Sequence, residues 1–418
     1  MSELLFTISP EDLAVGIAPD LPGQGPPVID TAENVLFTDL SAQPIAGQFL
    51  LSTQEAIGEP ITGIRATRIA NQRYAFIGTP TKIYRWDGST LTDVTNTGGD
   101  YTGDVHSLWS LDRWGEWVIA TNGVDAPQVY KGTAFEDITG LTFNTAKIMV
   151  VAPGQPFVLA FETGGGAEGG FGFMHWCDRD DIETWTGTLA NFAGFLPIRN
   201  LVSPVTCAIA YQGVIPFFTV DAMYIANFVG HPLSFAANKV IDGIGAAGKF
   251  AVCGAAGRLY GINNRGIWTS DLGGNYQYFD IPLVRDFLIS SLNAEQIAHH
   301  PVAWHNRVEH SIVFYYPTAN VHSNNRGLMF NYQEGNWTSL SVGRNAVDDT
   351  GIFDYALAGD KDGNLFFQAA PGQIGTEDPL PGTGVPGFLP IVTKPKLYRA
   401  GFGIGPFGAF AFGGPADG

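Results

Sequence analysis

Short strand-forming runs recur at a period of about 45 residues, and this repeat constrains the fold of the chain more than any other feature of its sequence. The first clear unit consists of the runs Ile64–Ile69, Arg73–Ile77, Lys82–Trp86 and Leu91–Val94. Asp87-Gly88 separates the last two runs, and such a dipeptide favours the positive φ angles of a tight hairpin turn. The next unit repeats the phrase, with Phe135–Ile138 in the place of Leu91–Val94. Each unit therefore predicts a small antiparallel sheet.

Later units are looser but keep the spacing. They cover residues 155–199, 205–243, 248–284 and 298–342, and a shorter piece covers 351–370. About four short strands every ~40–50 residues are typical of β-propeller blades, because each small sheet must bury its faces against its neighbours. We therefore predict an all-β chain that forms a β-propeller of six to seven blades. Six units are full, and the strand near residue 36 would complete a partial seventh. A pair of β-sandwiches is the alternative fold.

The regions that flank the repeats are rich in proline and glycine, which interrupt regular structure. Residues 1–60 are predicted to form an extended N-terminal arm, residues 61–370 the propeller body and residues 371–418 an irregular C-terminal arm. Five large apolar side chains stand among glycines near the end: Phe402, Ile404, Phe407, Phe410 and Phe412. We expect this stretch to dock on the body or on a neighbouring subunit, because it is too apolar to remain in water. Leu283–Ile297 is the main helix candidate.

The composition fits many short strands joined by tight turns, with 12% aromatic residues, 53 glycines and 26 prolines. The net charge of −18 disfavours stable electrostatic binding of nucleic acid, although it suits a surface past which DNA slides. Cys177, Cys207 and Cys253 are far apart and odd in number, so we predict buried thiols without disulfides, as in a reducing cytoplasm. The sequence shows neither a signal peptide nor an apolar run long enough to span a membrane.

Three groups of residues are candidate sites. Trp176–Trp185 holds Asp178, Asp180, Asp181 and Glu183 between two tryptophans, which could bind a sugar or Ca²⁺ but more simply forms a solvated hairpin with buried anchors. Asp360–Asn364 resembles the start of a calcium loop without its closing glutamate, which favours a plain turn. The histidines near Trp304 lack a metal-ligand spacing: His299, His300, His305 and His310.

Other signals are weaker still. Arg65, Arg68 and Asn71–Arg73 give a local basic bias that favours salt bridges at the surface, and Gly164–Gly170 is a glycine-rich loop without a dinucleotide-binding context. The sequence also lacks a nucleophile elbow and a phosphate-binding loop of the GxxxxGK[ST] type. We therefore predict no catalytic, cofactor-binding or metal site, and a protein that is not an enzyme.

Several phrases together resemble a known family. They are Thr31–Thr38, the stretch Glu116–Tyr130 with its TNGVDAPQ phrase, the segment Trp176–Trp185, and Tyr224–Gly230. The set is similar to tail nozzle or packaged-DNA stabilisation (tail hub) proteins of short-tailed bacteriophages. The similarity covers roughly residues 30–340 as scattered phrases, and the C-terminal arm has no matching motif.

The resemblance implies a structural virion protein, made in the host cytoplasm and built into the phage tail. It implies a homo-hexameric ring that forms part of the DNA exit channel, retains packaged DNA and passes it without specific binding. Its partners would be a head–tail adaptor protein and tail fibre or needle proteins. The alternative from the residues is a carbohydrate-active or glycan-binding propeller that uses the Trp176–Trp185 stretch. A third option is a propeller that binds host peptides.

Overall fold

The computed structural model describes residues 28–374 except 39–40, 52–56, 280–287, 289–290, 294, 296, 298–299 and 320, together with 377–378 and 391–396. This part of the chain is all-β and almost without helix. It forms seven sheets of at least four strands that follow one another along the sequence, and one two-stranded hairpin. The predicted helix Leu283–Ile297 and the apolar stretch Phe402–Phe412 lie largely or wholly outside the described residues.

The strands are numbered in chain order. The N-terminal region forms β1 (Val28–Glu33), β2 (Val35–Thr38), β3 (Ser41–Pro44) and β4 (Ala46–Leu50). Blade 1 is β5 (Gly63–Ile69), β6 (Gln72–Gly78), β7 (Ile83–Trp86) and β8 (Leu91–Asp93). Blade 2 is β9 (Ser110–Trp114), β10 (Trp117–Thr121), β11 (Gln128–Tyr130) and β12 (Phe135–Asp137). Blade 3 is β13 (Thr145–Val151), β14 (Val158–Gly164), β15 (Gly170–Trp176) and β16 (Gly194–Pro197).

The second half continues in the same way. Blade 4 is β17 (Cys207–Ala208), β18 (Ile215–Phe218), β19 (Ala222–Gly230) and β20 (Ser234–Asp242). Blade 5 is β21 (Val252–Ala255), β22 (Arg258–Asn263), β23 (Gly266–Ser270) and β24 (Tyr276–Tyr278). Blade 6 is β25 (Val302–Asn306), β26 (Ser311–Tyr316), β27 (Arg326–Asn331) and β28 (Asn336–Leu340). Blade 7 begins with β29 (Ala346–Asp348), β30 (Ala356–Gly359) and β31 (Leu365–Ile374), and β32 (Glu377–Asp378) and β33 (Ile391–Lys396) follow.

The blades close into a seven-bladed β-propeller, as the repeat predicted. In blades 1 to 5 the four strands pair antiparallel in sequence order, and blades 6 and 7 begin in the same way before strands from the two ends of the chain join them. The first strand of each blade lies at the axis, where it packs against first strands of neighbouring blades. The hydrophobic core lies between the blades. Phe76 of blade 1 meets Tyr130 of blade 2 edge to face at 4.9 Å, for example. The aromatic content of the sequence is therefore explained by the packing of sheet on sheet.

The strand that completes the seventh blade is β4, and the prediction of the strand near residue 36 was wrong. In β4, Phe49 pairs with Phe367 and Leu50 with Phe366 of β31, so the N-terminal region closes the disc. The strand near residue 36, β2, instead forms the two-stranded hairpin with β3. Phe37 of this hairpin is fully buried against blades 5 and 6, which fixes the hairpin outside blade 7.

Two further features extend the prediction. Blade 3 begins with β13 at Thr145, which is ten residues before the unit predicted for residues 155–199. Blade 6 carries two additional strands: β1 runs parallel to β28, and β33 pairs antiparallel with β1. A blade of six strands therefore projects beyond the rim of the disc, with strands from both arms at its outer edge.

Candidate functional site

The Trp176–Trp185 stretch forms the connection between β15 and β16. Trp176 and Trp185 are buried, and their indole N–H groups donate to the carbonyl oxygens of Phe192 and Ile182, both at 2.6 Å. Neither ring therefore offers a face on which a sugar could stack.

The carboxylates of this stretch hold its backbone. Asp178 accepts hydrogen bonds from the backbone N–H groups of Arg179 and Phe192 at 2.7 and 2.8 Å. Asp181 accepts from the Glu183 backbone N–H at 2.9 Å and from the Thr184 hydroxyl at 2.8 Å. These contacts have the pattern of a folded turn, in which the acids cap backbone groups.

The calcium-like stretch is likewise a turn, between β30 and β31. Asp360 accepts from the backbone N–H groups of Asp362 and Asn364 at 2.9 and 2.8 Å, and its second oxygen accepts from the Asn364 amide at 2.9 Å. Asp360 thus acts as the side chain of an Asx turn.

Of the predicted histidines that the structure describes, His300 lies apart, whereas His305 and His310 both contact the Tyr332 ring, at 5.7 and 6.2 Å between ring centroids. His300 is buried, and its Nε2 lies 3.1 Å from Nδ1 of His106 in the connection between blades 1 and 2. His305 Nε2 lies 3.1 Å from the Tyr332 hydroxyl, and burial lowers the pKa of His305. His299 lies outside the described residues. Within the described part of the chain, no three metal-binding side chains come together.

The structure reveals a polar cluster that the sequence analysis missed, in a cavity of about 300 Å³ on the propeller axis. The first strands of the blades line this cavity. Arg65 of β5 forms an ion pair with Asp112 of β9 at 2.6 Å. Asp112 also accepts from the Val151 N–H of blade 3 at 2.9 Å, so the pair ties three blades together. The salt bridge that we expected for Arg65 at the surface forms instead in the cavity at the axis of the disc.

Asp348 of β29 brings blade 7 into the same cluster. It is 5% exposed and accepts a hydrogen bond from the Thr350 hydroxyl at 2.7 Å. Burial raises the pKa of Asp348 to about 6, and the opposing attraction of the Arg65 guanidinium is too weak to cancel this effect. The adjacent Asp349 accepts from the His305 backbone N–H at 2.9 Å and raises the Asp348 pKa further.

Lys249 lies on the wall of the same cavity, at the start of blade 5. Its ammonium group is buried and donates to the carbonyl oxygen of Leu108. Burial lowers the pKa of Lys249 well below its ordinary value. The cavity therefore combines two arginines, Arg65 and Arg307, with carboxylates and a lysine whose charged form is disfavoured.

The three cysteines are free and buried. Burial raises the pKa of the Cys177 and Cys207 thiols to about 12, and that of Cys253 also rises. Thiols in this state are poor nucleophiles, because the thiolate is the reactive form.

The rim of the disc carries an apolar surface at the junction of blades 3 and 4. Eight of the twelve large hydrophobic side chains that are exposed among the described residues belong to these two blades or their connections. We use the name seam patch for the group around the β15–β16 connection and the β19–β20 turn: Leu189, Phe192, Phe228, Val229, His231 and Leu233. Phe192 meets the His231 ring at 5.4 Å, and its carbonyl accepts from the Ser234 hydroxyl at 2.8 Å, which joins the two loops.

The most specific phrase of the family resemblance, TNGVDAPQ, forms the loop between β10 and β11. The Asn122 side-chain oxygen accepts from the backbone N–H groups of Val124 and Asp125 at 3.0 and 2.9 Å. The Asn122 amide donates to Asp125 at 2.7 Å, and Asp125 accepts from the Thr102 hydroxyl at 2.7 Å. This phrase therefore stabilises a loop of blade 2.

The described residues contain no helix that is both long and apolar enough to cross a bilayer.

Among solved structures, the chain is similar to the computationally designed Ika8 protein, with 11% identity and a TM-score of 0.44 over 77% of this chain and 99% of that one. It is also similar to the WD40 domain of Pan2 from Neurospora crassa, with 10% identity and a TM-score of 0.46 over 79% and 96%. No family model and no curated protein matches the chain. These similarities are too low to say anything about function.

Proposed function

We propose that this chain is a structural subunit of a phage tail nozzle or hub, and that copies of it form a ring around the DNA exit channel. In this role it would retain packaged DNA, contact a head–tail adaptor above and fibre or needle proteins outside, and act without catalysis. The sequence phrases that resemble tail hub proteins suggested this role. The observation that carries the proposal is that one disc has two different regions on its rim at which another copy would bind.

The two regions are the seam patch and the extended edge of blade 6. The seam patch lies between blades 3 and 4 and the extended edge belongs to blade 6, so the two regions are two and a half blades apart. In a disc of seven blades this separation is an angle of about 130° around the axis. Two different patches on one subunit give head-to-tail contacts, and such contacts close into a ring when the angle fits. In a ring of six copies whose propeller axes are parallel to the ring axis, the two contacts of each copy lie about 120° apart. The angle on the rim is close to this value.

The dimensions of the axial cavity decide where DNA would pass. The major groove of B-DNA alone is about 12 Å wide and about 8.5 Å deep. A cavity of about 300 Å³ that is crossed by the Arg65–Asp112 pair is too small for a duplex. In the proposed ring the channel is therefore the space between the copies. The net charge of −18 would keep its walls from binding phosphates.

Native mass spectrometry and electron microscopy of the full chain would test this function. We expect a closed ring with a central opening wider than a DNA duplex, and the same ring in the tail of purified virions. A protein that stays monomeric at micromolar concentration and is absent from particles would refute the proposal. For the glycan-binding alternative, no contact in the described residues speaks in its favour.

A further inference from the structure

We infer that the seam patch of one copy is covered by the C-terminal segment, residues 397–418, of the neighbouring copy. This inference rests on the proposed ring and names the contact that would hold it together. It assigns a specific occupant to the seam patch, and the chain of that occupant leaves the neighbouring copy from the outer edge of blade 6.

The apolar side chains of the seam patch are exposed in a single copy, as they are on a surface that binds a partner. Leu189 is 95% exposed, Leu233 is 66% exposed and Val229 is 53% exposed. Beneath them, Phe228 stacks on the buried Phe157 at 5.3 Å, so the patch continues directly into the core between blades 3 and 4. The ring contact between Phe192 and His231 joins the two loops of the patch, and a contiguous apolar surface marks a binding site, whereas single exposed side chains do not.

The C-terminal segment has matching chemistry. It contains Phe402, Ile404, Phe407, Phe410 and Phe412. Its two charged side chains, Arg399 and Asp417, cancel, although the whole chain has a net charge of −18. Docking of this segment therefore brings apolar surface to an acidic body without adding like charge. The frequent glycines between the aromatic residues allow the segment to follow an uneven surface.

The length of the segment favours a neighbouring copy over the same copy. The segment follows Lys396, the last residue of β33 on the outer edge of blade 6. Four strands at about 4.8 Å spacing put the edge of a blade roughly 20 Å from the axis, so the seam patch lies roughly 35 Å or more from that edge. Phe402 is six residues beyond Lys396 and cannot lie more than about 21 Å from it. Phe402 and Ile404 therefore reach a seam patch only on an adjacent copy whose rim abuts blade 6.

Cross-linking between single-cysteine variants tests this contact. The three native cysteines are buried, so they leave a low background for maleimide reagents. Chains with Leu233→Cys and chains with Ile404→Cys, carrying different mass tags, are co-expressed and treated with a short bismaleimide. We expect a covalent dimer that contains one chain of each kind. Val308→Cys, at a comparably exposed site on blade 6, replaces Leu233→Cys in the control and should give at least about tenfold less dimer.

The outcomes separate this contact from the ring itself, because native mass spectrometry is run on the same samples. Rings with the mixed cross-link support both proposals. Rings without it overturn this inference and leave the ring in place. A chain that carries both cysteines serves as a further sample, and a cross-link within that one chain also overturns the inference. Dimers that contain only Leu233→Cys chains overturn it as well. A monomer without cross-links overturns both. As a second measurement, Val229→Ser with Leu233→Ser should weaken ring assembly at least about tenfold, whereas Val105→Ser with Val308→Ser should not.

Discussion

Replacement of Asp348 by asparagine should remove a pH dependence of stability that originates at the propeller axis. Asp348 is 5% exposed, and burial raises its pKa from 3.8 to about 6. The folded state therefore binds a proton at pH values at which the unfolded chain has already released it. By proton linkage, this residue makes the free energy of unfolding fall as the pH rises from about 4 to about 6, with no further change above that range.

The size of the effect follows from the pKa difference. About two pKa units at about 1.4 kcal/mol each correspond to a loss of ~3 kcal/mol across this range. Asp348→Asn keeps an oxygen that can accept from the Thr350 hydroxyl, and the Arg65–Asp112 pair remains. We therefore expect the stability of Asp348→Asn, relative to the parent chain, to rise by ~3 kcal/mol between pH 4 and pH 7.

Urea unfolding at several pH values would measure this difference, because contributions of all other groups cancel between variant and parent. Val308→Ser, an exposed substitution that removes no ionisable group, is the control and should give a flat difference. A flat difference for Asp348→Asn would refute the reasoning. A decrease with rising pH would show that Arg65 stabilises the ionised carboxylate more than burial destabilises it.

Three more substitutions test the packing. Gly261→Ala would place a methyl group on the Trp268 ring and should cost about 1–3 kcal/mol in urea unfolding, whereas Gly170→Ala, whose new methyl meets its nearest neighbour at 3.5 Å, should cost less. Leu51→Pro removes the N–H that donates to β31 at 2.9 Å, so it should lower the free energy of unfolding by about 1–3 kcal/mol relative to Leu51→Ala. Trp185→Ala should cost about 3–5 kcal/mol, since this ring is a core anchor; a loss below about 1 kcal/mol would contradict that role.

The architecture could be predicted because each blade repeats the same local signals. Strand runs and turn residues lie within one period, so the hairpins are specified over short sequence distances. The strand that closes blade 7 could not be predicted, because β2 and β4 are both short β-rich runs. Contacts far along the chain decide between them: Gln48 in β4 accepts a hydrogen bond from Arg344, 296 residues away.

The axial cluster was also missed, although the sequence contains a signal for it. Arg65, Asp112 and Asp348 are each the third residue of the first strand of their blade. Residues at equivalent positions of successive inner strands meet at the axis of a propeller, so charges that are one or more periods apart in sequence become neighbours. Alignment of the inner strands before the search for charged residues would have found the cluster. A search for local motifs could not.

The N-terminal region links closure of the disc to the proposed ring contact. β1, which ends at Glu33, is the strand to which β33 pairs on blade 6, and β4, which begins at Ala46 after the β2–β3 hairpin, completes blade 7. A neighbour that binds the segment after β33 would therefore be connected, through β1, to the stretch of chain that closes the propeller. We expect Leu51→Pro to lower both the stability of the monomer and the fraction of ring, and Leu233→Ser to lower only the fraction of ring. Equal loss of monomer stability in both variants would show that the seam patch belongs to the fold of one copy and is not a contact between copies.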